Sequence, residues 1–402
     1  MTVREVYLDN SATTRPYPEA IRAAVEAMEE KYGNPSSLHR KGVEAARLVA
    51  RAREAVAAAL GVNPGDIVFT GGGSEAVNLA LKGTQPGRGG RHIITTAVEH
   101  PAVLNACRQL QEQGMEVTVL PVDGEGVVDP WQLRAELRDD TYLVSVMHVN
   151  NEVGAVQPLE EIARAIAGFR RAGRELFWHV DAVQSFGKLP LRPKELGVDL
   201  LSVSAHKVHG PKGVGALYVS PRVPLRPLVA GGGQEWGLRS GTENVPGIAG
   251  FGAAAARNAR DVDGAAARLF ALKKRLVEGI LSAVPGAVLN GPACREGNPR
   301  CAPHIASISF PGLPGEVLVH SLEERGIYVS TGSACSTRKK SGSHVLRAMG
   351  LPEELLESAV RYSLSPLNTE EEIDYAVAGT AAVAEELRAL YGGRQGRRRR
   401  SR

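Results

Sequence analysis

Cysteine is scarce in this 402-residue chain: four residues, at 107, 294, 301 and 335, with no CxxC pair. That excludes a disulfide framework and a standard zinc ribbon. Long apolar runs are missing too, and none approaches the length needed to cross a bilayer. The opening MTVREVYLDN lacks the basic stretch and apolar core of a secretory signal, so a cytoplasmic location is expected. Neither GxxxxGK[ST] nor a dinucleotide fingerprint occurs, which argues against nucleotide chemistry. There are no internal repeats. The formal charge of +4 is produced by the end of the chain: Arg394, Arg397, Arg398, Arg399, Arg400 and Arg402 fall in the last nine residues, and setting them aside leaves the body at −2. A near-neutral body gives no reason to expect a nucleic-acid-binding face. Residues 393–402 read as a disordered, solvated basic tail, and RNA contact through it is not favoured.

What the chain does have is a 43% hydrophobic content over a length that suits two or more domains. Short apolar runs recur at Ile67 to Thr70, His92 to Thr96, Val117 to Pro121, Tyr142 to Val149, Leu176 to Val180, Leu200 to Ser204 and Val214 to Val219. Helical segments separate most of them. Such alternation predicts βαβ units and a mainly parallel, doubly wound sheet. Between Pro101 and Gln111, Val103, Ala106, Cys107 and Leu110 form one apolar helix face, so Cys107 is read as core packing. A Pro/Gly-rich stretch over 221–247 is read as a long functional loop. Beyond it a helix near Ala265 to Ala283, a strand at Ile305 to Phe310, a helix at Gly315 to Arg325, a strand at Ile327 to Ser330 and a helix near Glu370 to Leu390 predict a smaller α/β domain. The division expected is 16–256 for the large domain and 1–15 with 257–392 for the small one.

The chemistry concentrates where strands end. One apolar strand ends in Asp181, and another in Ser204-Ala205-His206-Lys207, with a glycine-bounded strand following. A lysine that can form a Schiff base and a carboxylate that can keep a pyridine nitrogen protonated are the two protein groups pyridoxal phosphate requires. Both lie at carboxyl ends of strands, where open α/β sheets bind ligands. Lys212, in the GPKG turn, competes for the Schiff base, but Lys207 is favoured because it directly follows its strand. A strand running through Gly71-Gly72-Gly73-Ser74 into a helix offers backbone amides, a helix N-terminus and a hydroxyl to a phosphate. Asn151 and Gln184 sit where an amide can reach the cofactor's ring hydroxyl. His100, before Pro101, can stack on a flat ring.

In these segments the chain resembles the cysteine desulfurases, pyridoxal phosphate enzymes of the class V aminotransferase superfamily. The matching stretches are YLDNSATTRP, YGNPSSLHRKG, FTGGGSEAVNLALKG, TAVEHPAVL, HVNNEVGAVQP, HVDAVQSFGKLP, SAHKVHGPKGVGALYV, RSGTENVPGI, STGSACS and VRYSLSPLNTEEEID, in family order over nearly the whole chain. The resemblance implies fold type I of the pyridoxal phosphate enzymes, with a seven-stranded sheet. It implies Lys207 as the Schiff-base lysine, Asp181 at the pyridine nitrogen, Asn151 and Gln184 at the ring hydroxyl, and His100 stacked on the ring. It places Gly73, Ser74, Ser204 and His206 around the phosphate, with Thr242 reaching that phosphate from the partner subunit of a homodimer. Ser74 replaces the family's usual Thr but keeps the hydroxyl, and Ala205 stands where Gly is common.

Cys335 lies in a run of small polar residues, Ser330 to Ser336, beside Arg338, Lys339 and Lys340. Nearby cations raise the thiolate fraction, and the motif marks Cys335 as the nucleophile. The resemblance also allows it as a transient iron-sulfur ligand, with no resident metal. The basic loop after it departs from the family's scaffold-binding forms, leaving the sulfur acceptor open: an iron-sulfur scaffold or a tRNA-thiolation enzyme. Arg361 is the candidate for the substrate carboxylate, because its planar fork makes two parallel hydrogen bonds, and Asn34 is a second contact. Cys294 and Cys301, in a loop with no His or third thiol nearby, are not expected to pair or to bind metal. The expected reaction converts L-cysteine to L-alanine and leaves a persulfide on Cys335. An aminotransferase or selenocysteine lyase is the rival on the same fold, and an adaptor docking through the Arg tail is the rival of another class.

Overall fold

A computed structural model of the protein describes residues 4–87, 89–332 and 342–399. Seven strands form the main sheet: β2 (Ile67–Thr70), β3 (His92–Thr96), β4 (Glu116–Leu120), β5 (Thr141–Met147), β6 (Phe177–Asp181), β7 (Leu200–Ser204) and β8 (Gly215–Val219). Their order is β2-β8-β7-β6-β5-β3-β4. All neighbours are parallel except β8, which runs antiparallel to β2 and β7. The short strand β1 (Val6–Tyr7) belongs elsewhere. Residues of β5, β6 and β7 are buried throughout, as near-continuous apolar runs covered on both faces require.

Helices α3 (Gly73–Gly83), α4 (Pro101–Glu112), α5 (Pro130–Glu136), α6 (Leu159–Arg171) and α7 (Pro193–Leu196) connect the strands in chain order. Two further helices precede them, α1 (Pro18–Glu29) and α2 (Arg40–Leu60), and both pack against α8 (Val245–Asn258). On α2 the buried residues Val49, Ala52, Val56 and Leu60 recur every three or four positions. Gly252 lets α8 approach that face closely, since a Cβ there would stand 2.6 Å from the Ala52 Cβ. The turn after β2 enters α3 directly, so α3 begins at Gly73, inside the glycine run itself.

A second core contains Val6 and Leu8 together with residues from Leu269 to Leu387. Helix α9 (Val262–Ala283) packs there with α13 (Glu370–Arg399), over an antiparallel sheet of order β12-β10-β9 built from β9 (Val288–Asn290), β10 (Ile305–Ser309) and β12 (Ala359–Ser363). β1 pairs in parallel with β11 (Ile327–Tyr328). Three shorter helices, α10 (Gly315–Glu323), α11 (His344–Ala348) and α12 (Glu353–Glu357), complete the unit. The end of the chain departs from expectation: α13 runs on to Arg399, through residues read as a disordered tail from 393. Gln and Arg are good helix formers, and a helix already nucleated upstream extends across Gly392, Gly393 and Gly396 more easily than one could start there. No helix among the described residues is long and apolar enough to cross a membrane.

Candidate active site

Lys207 closes a one-turn 3-10 segment, Ala205–Lys207, that continues β7. Its Nζ donates to the carbonyl oxygens of Ser11 (2.5 Å) and Ala12 (2.8 Å). Gln184 Nε2 donates to the same Ser11 oxygen at 3.0 Å. The N-terminal segment is tied down over this turn: the Thr14 amide and hydroxyl donate to the His206 carbonyl, and the His209 amide donates to Thr14 Oγ1. Lys212, the competing lysine, is exposed on the following turn.

Asp181 is the last residue of β6 and is buried. Burial pushes its carboxyl up to about 6, against the pull of the Val183 amide, which donates to Oδ1 at 3.0 Å, and of Lys207. His100 is the N-cap of α4, with Nδ1 accepting from the Ala102 amide at 3.1 Å. Burial first, then Lys207 and His344, press the imidazole down to about 4. It is therefore neutral near pH 7, and the occupied Nδ1 assigns the proton to Nε2. Beside it Glu99 is fully buried, and its Oε1 accepts from Thr96 Oγ1 and the Met147 amide, both at 2.8 Å. Burial raises that carboxyl to about 8.

The glycine turn after β2 forms a cradle. A Cβ on Gly73 would meet Val183 Cγ2 at 2.9 Å and Ser204 Cβ at 3.3 Å, while Gly72 faces open space. Ser74 is exposed in the first turn of α3. Ser204 Oγ and Gln184 Oε1 are buried with no hydrogen-bond partner among the described residues. The His206 ring meets Thr13 Oγ1 at 3.3 Å, and burial, then the neighbouring lysines 207, 212 and 188, lower it to about 4.

Arg361 comes from β12 of the other unit and is 4% exposed. Its Nη2 donates to Asp9 Oδ1 (2.8 Å), and its Nη1 to the carbonyls of Asn151 (3.0 Å) and Gly332 (3.4 Å). Its Nε is buried without a partner among the described residues. Thus Lys207, Asp181, His100, Gln184 and the glycine turn gather at the carboxyl ends of β7, β6, β3 and β2, with Arg361 reaching the Asn151 loop. Asn34 and Thr242 do not join this cluster within the chain: both are exposed, and the hydrogen bonds of Asn34 are local. Cys335 and the basic residues after it lie outside the described residues. Glu99 and Asp9 were missed by sequence reasoning, although each stands inside a quoted motif, next to His100 and next to Asn10.

The family model described as Aminotransferase class-V matches residues 6–376. A cysteine desulfurase of Trichormus azollae is 45% identical over 388 residues, covering 96% of this chain and 94% of its own. Cysteine desulfurase IscS of Dictyoglomus turgidum is 41% identical over 389 residues, covering 96% of each. The chain belongs to the cysteine desulfurases of the aminotransferase class-V family. A solved NifS-like protein superposes with a TM-score of 0.87 at 41% identity, covering 96% of this chain and all of that one. SspA solved in complex with cysteine superposes at 0.76 with 33% identity, over 90% of this chain and all of that one. Pyridoxal phosphate dependence is a property of this family, and the residues present fit that group. The cradle at Gly73 leaves no room for a side chain, Ser204 Oγ and Gln184 Oε1 lack partners among the described residues, and a buried carboxyl and a lysine amine stand at adjacent strand ends.

Proposed function

We propose that this desulfurase converts L-cysteine to L-alanine and moves the substrate sulfur onto Cys335 as a persulfide, which an acceptor protein collects for iron-sulfur cluster assembly or tRNA thiolation. The observation that carries the reading is the placement of Lys207 and buried Asp181 at the ends of adjacent parallel strands, beside a glycine turn in which Gly73 has no room for a side chain. Residues 16–256 form the cofactor-binding domain, and residues 1–15 with 257–392 form the domain bearing the cysteine loop. The protein works in the cytoplasm as a homodimer.

In this reading Lys207, Asp181, Asn151, Gln184 and His100 hold the ring of pyridoxal phosphate, and Gly73, Ser74, Ser204, His206 and the partner's Thr242 hold its phosphate. When bound, the cofactor supplies an electron sink for the bonds at the substrate Cα. Asp181 keeps the ring nitrogen protonated. Its carboxyl titrates near 6 in a buried site, so a cation placed beside it favours the ionised form. Arg361 orients the substrate carboxylate, with Asn34 as a second contact. Lys207 Nζ takes the Cα proton and later returns one to Cβ, while neutral His100 donates from Nε2. The Cys335 thiolate attacks the substrate sulfur; the carbon-sulfur bond breaks, and the sulfur remains bonded to Cys335.

The test is alanine and sulfide release from L-cysteine with a reductant, using the wild type and Cys335→Ala after cofactor loading. The wild type is expected to form both products, and the variant to keep the cofactor absorbance while making little of either. Equal activity in the two proteins removes Cys335 from the reaction.

A further inference from the structure

Two of the remaining cysteines meet on the far side of the Asn151 loop. The segment 293–301 is folded back on itself: Asn298 Nδ2 and the Arg295 amide donate to the Ala293 carbonyl, and the Cys301 amide donates to the Asn298 carbonyl at 3.2 Å. That fold-back brings the half-buried Cys294 thiol close enough to the buried Cys301 thiol for the two to act on each other. Behind them stands Lys273 of α9, 1% exposed, whose Nζ lies 3.0 Å from Cys301 Sγ and 2.8 Å from the Ala302 carbonyl.

A lysine this deep is rare unless its charge is compensated. Among the described residues no carboxylate forms an ion pair with Lys273, and the Ala302 oxygen it bonds is a neutral carbonyl. The group at hand that can carry the balancing charge is the Cys301 sulfur. The neighbouring Cys294 thiol and the charge of Lys273 pull the Cys301 thiol down against its burial, while Cys301 and burial push the Cys294 thiol up. Cys107 is a contrast within the chain: it is buried in an apolar cluster, and burial pushes its thiol up to about 12.

We propose that Lys273, Cys301 and Cys294 form a second reactive thiol centre, separate from Cys335, at which hydrogen peroxide oxidises Cys301 and Cys294 closes a disulfide with it. The Cys301 thiolate attacks one peroxide oxygen and the O–O bond breaks, leaving a sulfenic acid and a hydroxide that takes up a proton. The Cys294 sulfur then attacks the Cys301 sulfur, loses its proton, and expels the sulfenic oxygen as water. Two thiols are oxidised by two electrons, and one peroxide becomes two waters. The segment is joined to the loop that carries Asn151, through hydrogen bonds from the Val156 amide to the Arg300 carbonyl and from the Ala302 amide to the Gly154 carbonyl. Closing the disulfide therefore cross-links the strap behind the candidate active site.

The experiment treats the full-length, cofactor-loaded protein with hydrogen peroxide, alkylates the remaining thiols and maps tryptic peptides, which separate Cys294 from Cys301 at Arg295 and Arg300. Linked Cys294 and Cys301 peptides are expected while Cys107 stays alkylated. In Cys294→Ala, dimedone is expected to label Cys301, since no thiol resolves the sulfenic acid. In Lys273→Met, oxidation of Cys301 is expected to slow about tenfold. Should Lys273→Met fail to fold, the Cys294→Ala labelling decides alone. The proposal is overturned if both thiols remain alkylatable alongside Cys107, or if Cys301 in Cys294→Ala takes up no dimedone.

Discussion

At the residue scale the site is governed by burial acting on ionisable groups. Asp181→Asn keeps the shape and loses the charge, so kcat for alanine formation should fall on the order of 10²–10³. Steady-state assays at saturating cofactor check this, and a variant with wild-type kcat removes Asp181 from the reaction. Glu99 gives a prediction about stability. Its folded carboxyl titrates near 8, against an ordinary value of 4.5, because it is buried. Between those pH values the unfolded chain releases a proton that the folded chain retains, so this group makes stability fall as pH rises. Glu99→Gln keeps an acceptor for the Thr96 hydroxyl and the Met147 amide and removes that slope. The thermal midpoint of the variant should gain on wild type from pH 5 to pH 8, and parallel profiles would refute the assignment. Lys207, Asp181 and His100 were legible from sequence because each ends a strand or opens a helix. Glu99 was not, because a charged residue in a motif reads as exposed until the fold buries it. The contact of Cys301 with Lys273 was equally hidden, since Lys273 reaches it from α9.

At the scale of elements, the turn into α3 and the pairing of β6 with β7 do different work. Gly73→Ala places a Cβ 2.9 Å from Val183 Cγ2, on the packed turn behind Asp181. Overpacking of this kind costs about 1–3 kcal/mol, and the expected loss falls on cofactor affinity, measured by equilibrium titration of the apo-enzyme. Unchanged affinity would show that the turn does not hold the phosphate. Away from the cleft, Asp199 precedes β7 and accepts from the Trp178 amide (2.7 Å), from Arg222 (2.5 and 2.9 Å) and from Arg170. Asp199→Ala leaves two guanidiniums without their carboxylate. Arg222 is half exposed, so the loss should sit near the lower end for a broken buried pair, about 3 kcal/mol, with kcat of the folded enzyme unchanged. Urea denaturation measures the loss, and a drop in kcat would tie this network to catalysis. All seven sheet strands were legible from apolar runs, with ends shifted by a residue or two. The sheet order and the antiparallel β8 were not, because they depend on contacts between distant segments.

For the whole molecule, the decisive feature is apolar surface that one chain leaves uncovered. Ile21, Val25 and Met28 repeat at four- and three-residue spacing along α1, forming an exposed stripe, and Tyr32 and Leu38 continue it through the loop that carries Asn34. Leu38 is 98% exposed, and Trp236 stands out from the loop that carries Thr242. An apolar face of this extent calls for a partner, and the two candidate site residues left outside the cluster, Asn34 and Thr242, lie on the same loops. On the proposed reading a second copy of the chain would cover the stripe and bring Thr242 to the phosphate. The sequence carries the expectation of a dimer only through resemblance, since exposure cannot be read from composition. The double substitution Val25→Asp and Met28→Asp places charges on the stripe and leaves Lys207, Asp181 and the glycine turn untouched. Sedimentation should then find monomers, against the dimers expected for the wild type. Cofactor should also bind at least about tenfold more weakly, roughly 1.4 kcal/mol, because Thr242 is no longer delivered. Monomers that keep wild-type cofactor affinity would mean that each chain completes its own phosphate site, and Thr242 would lose its role.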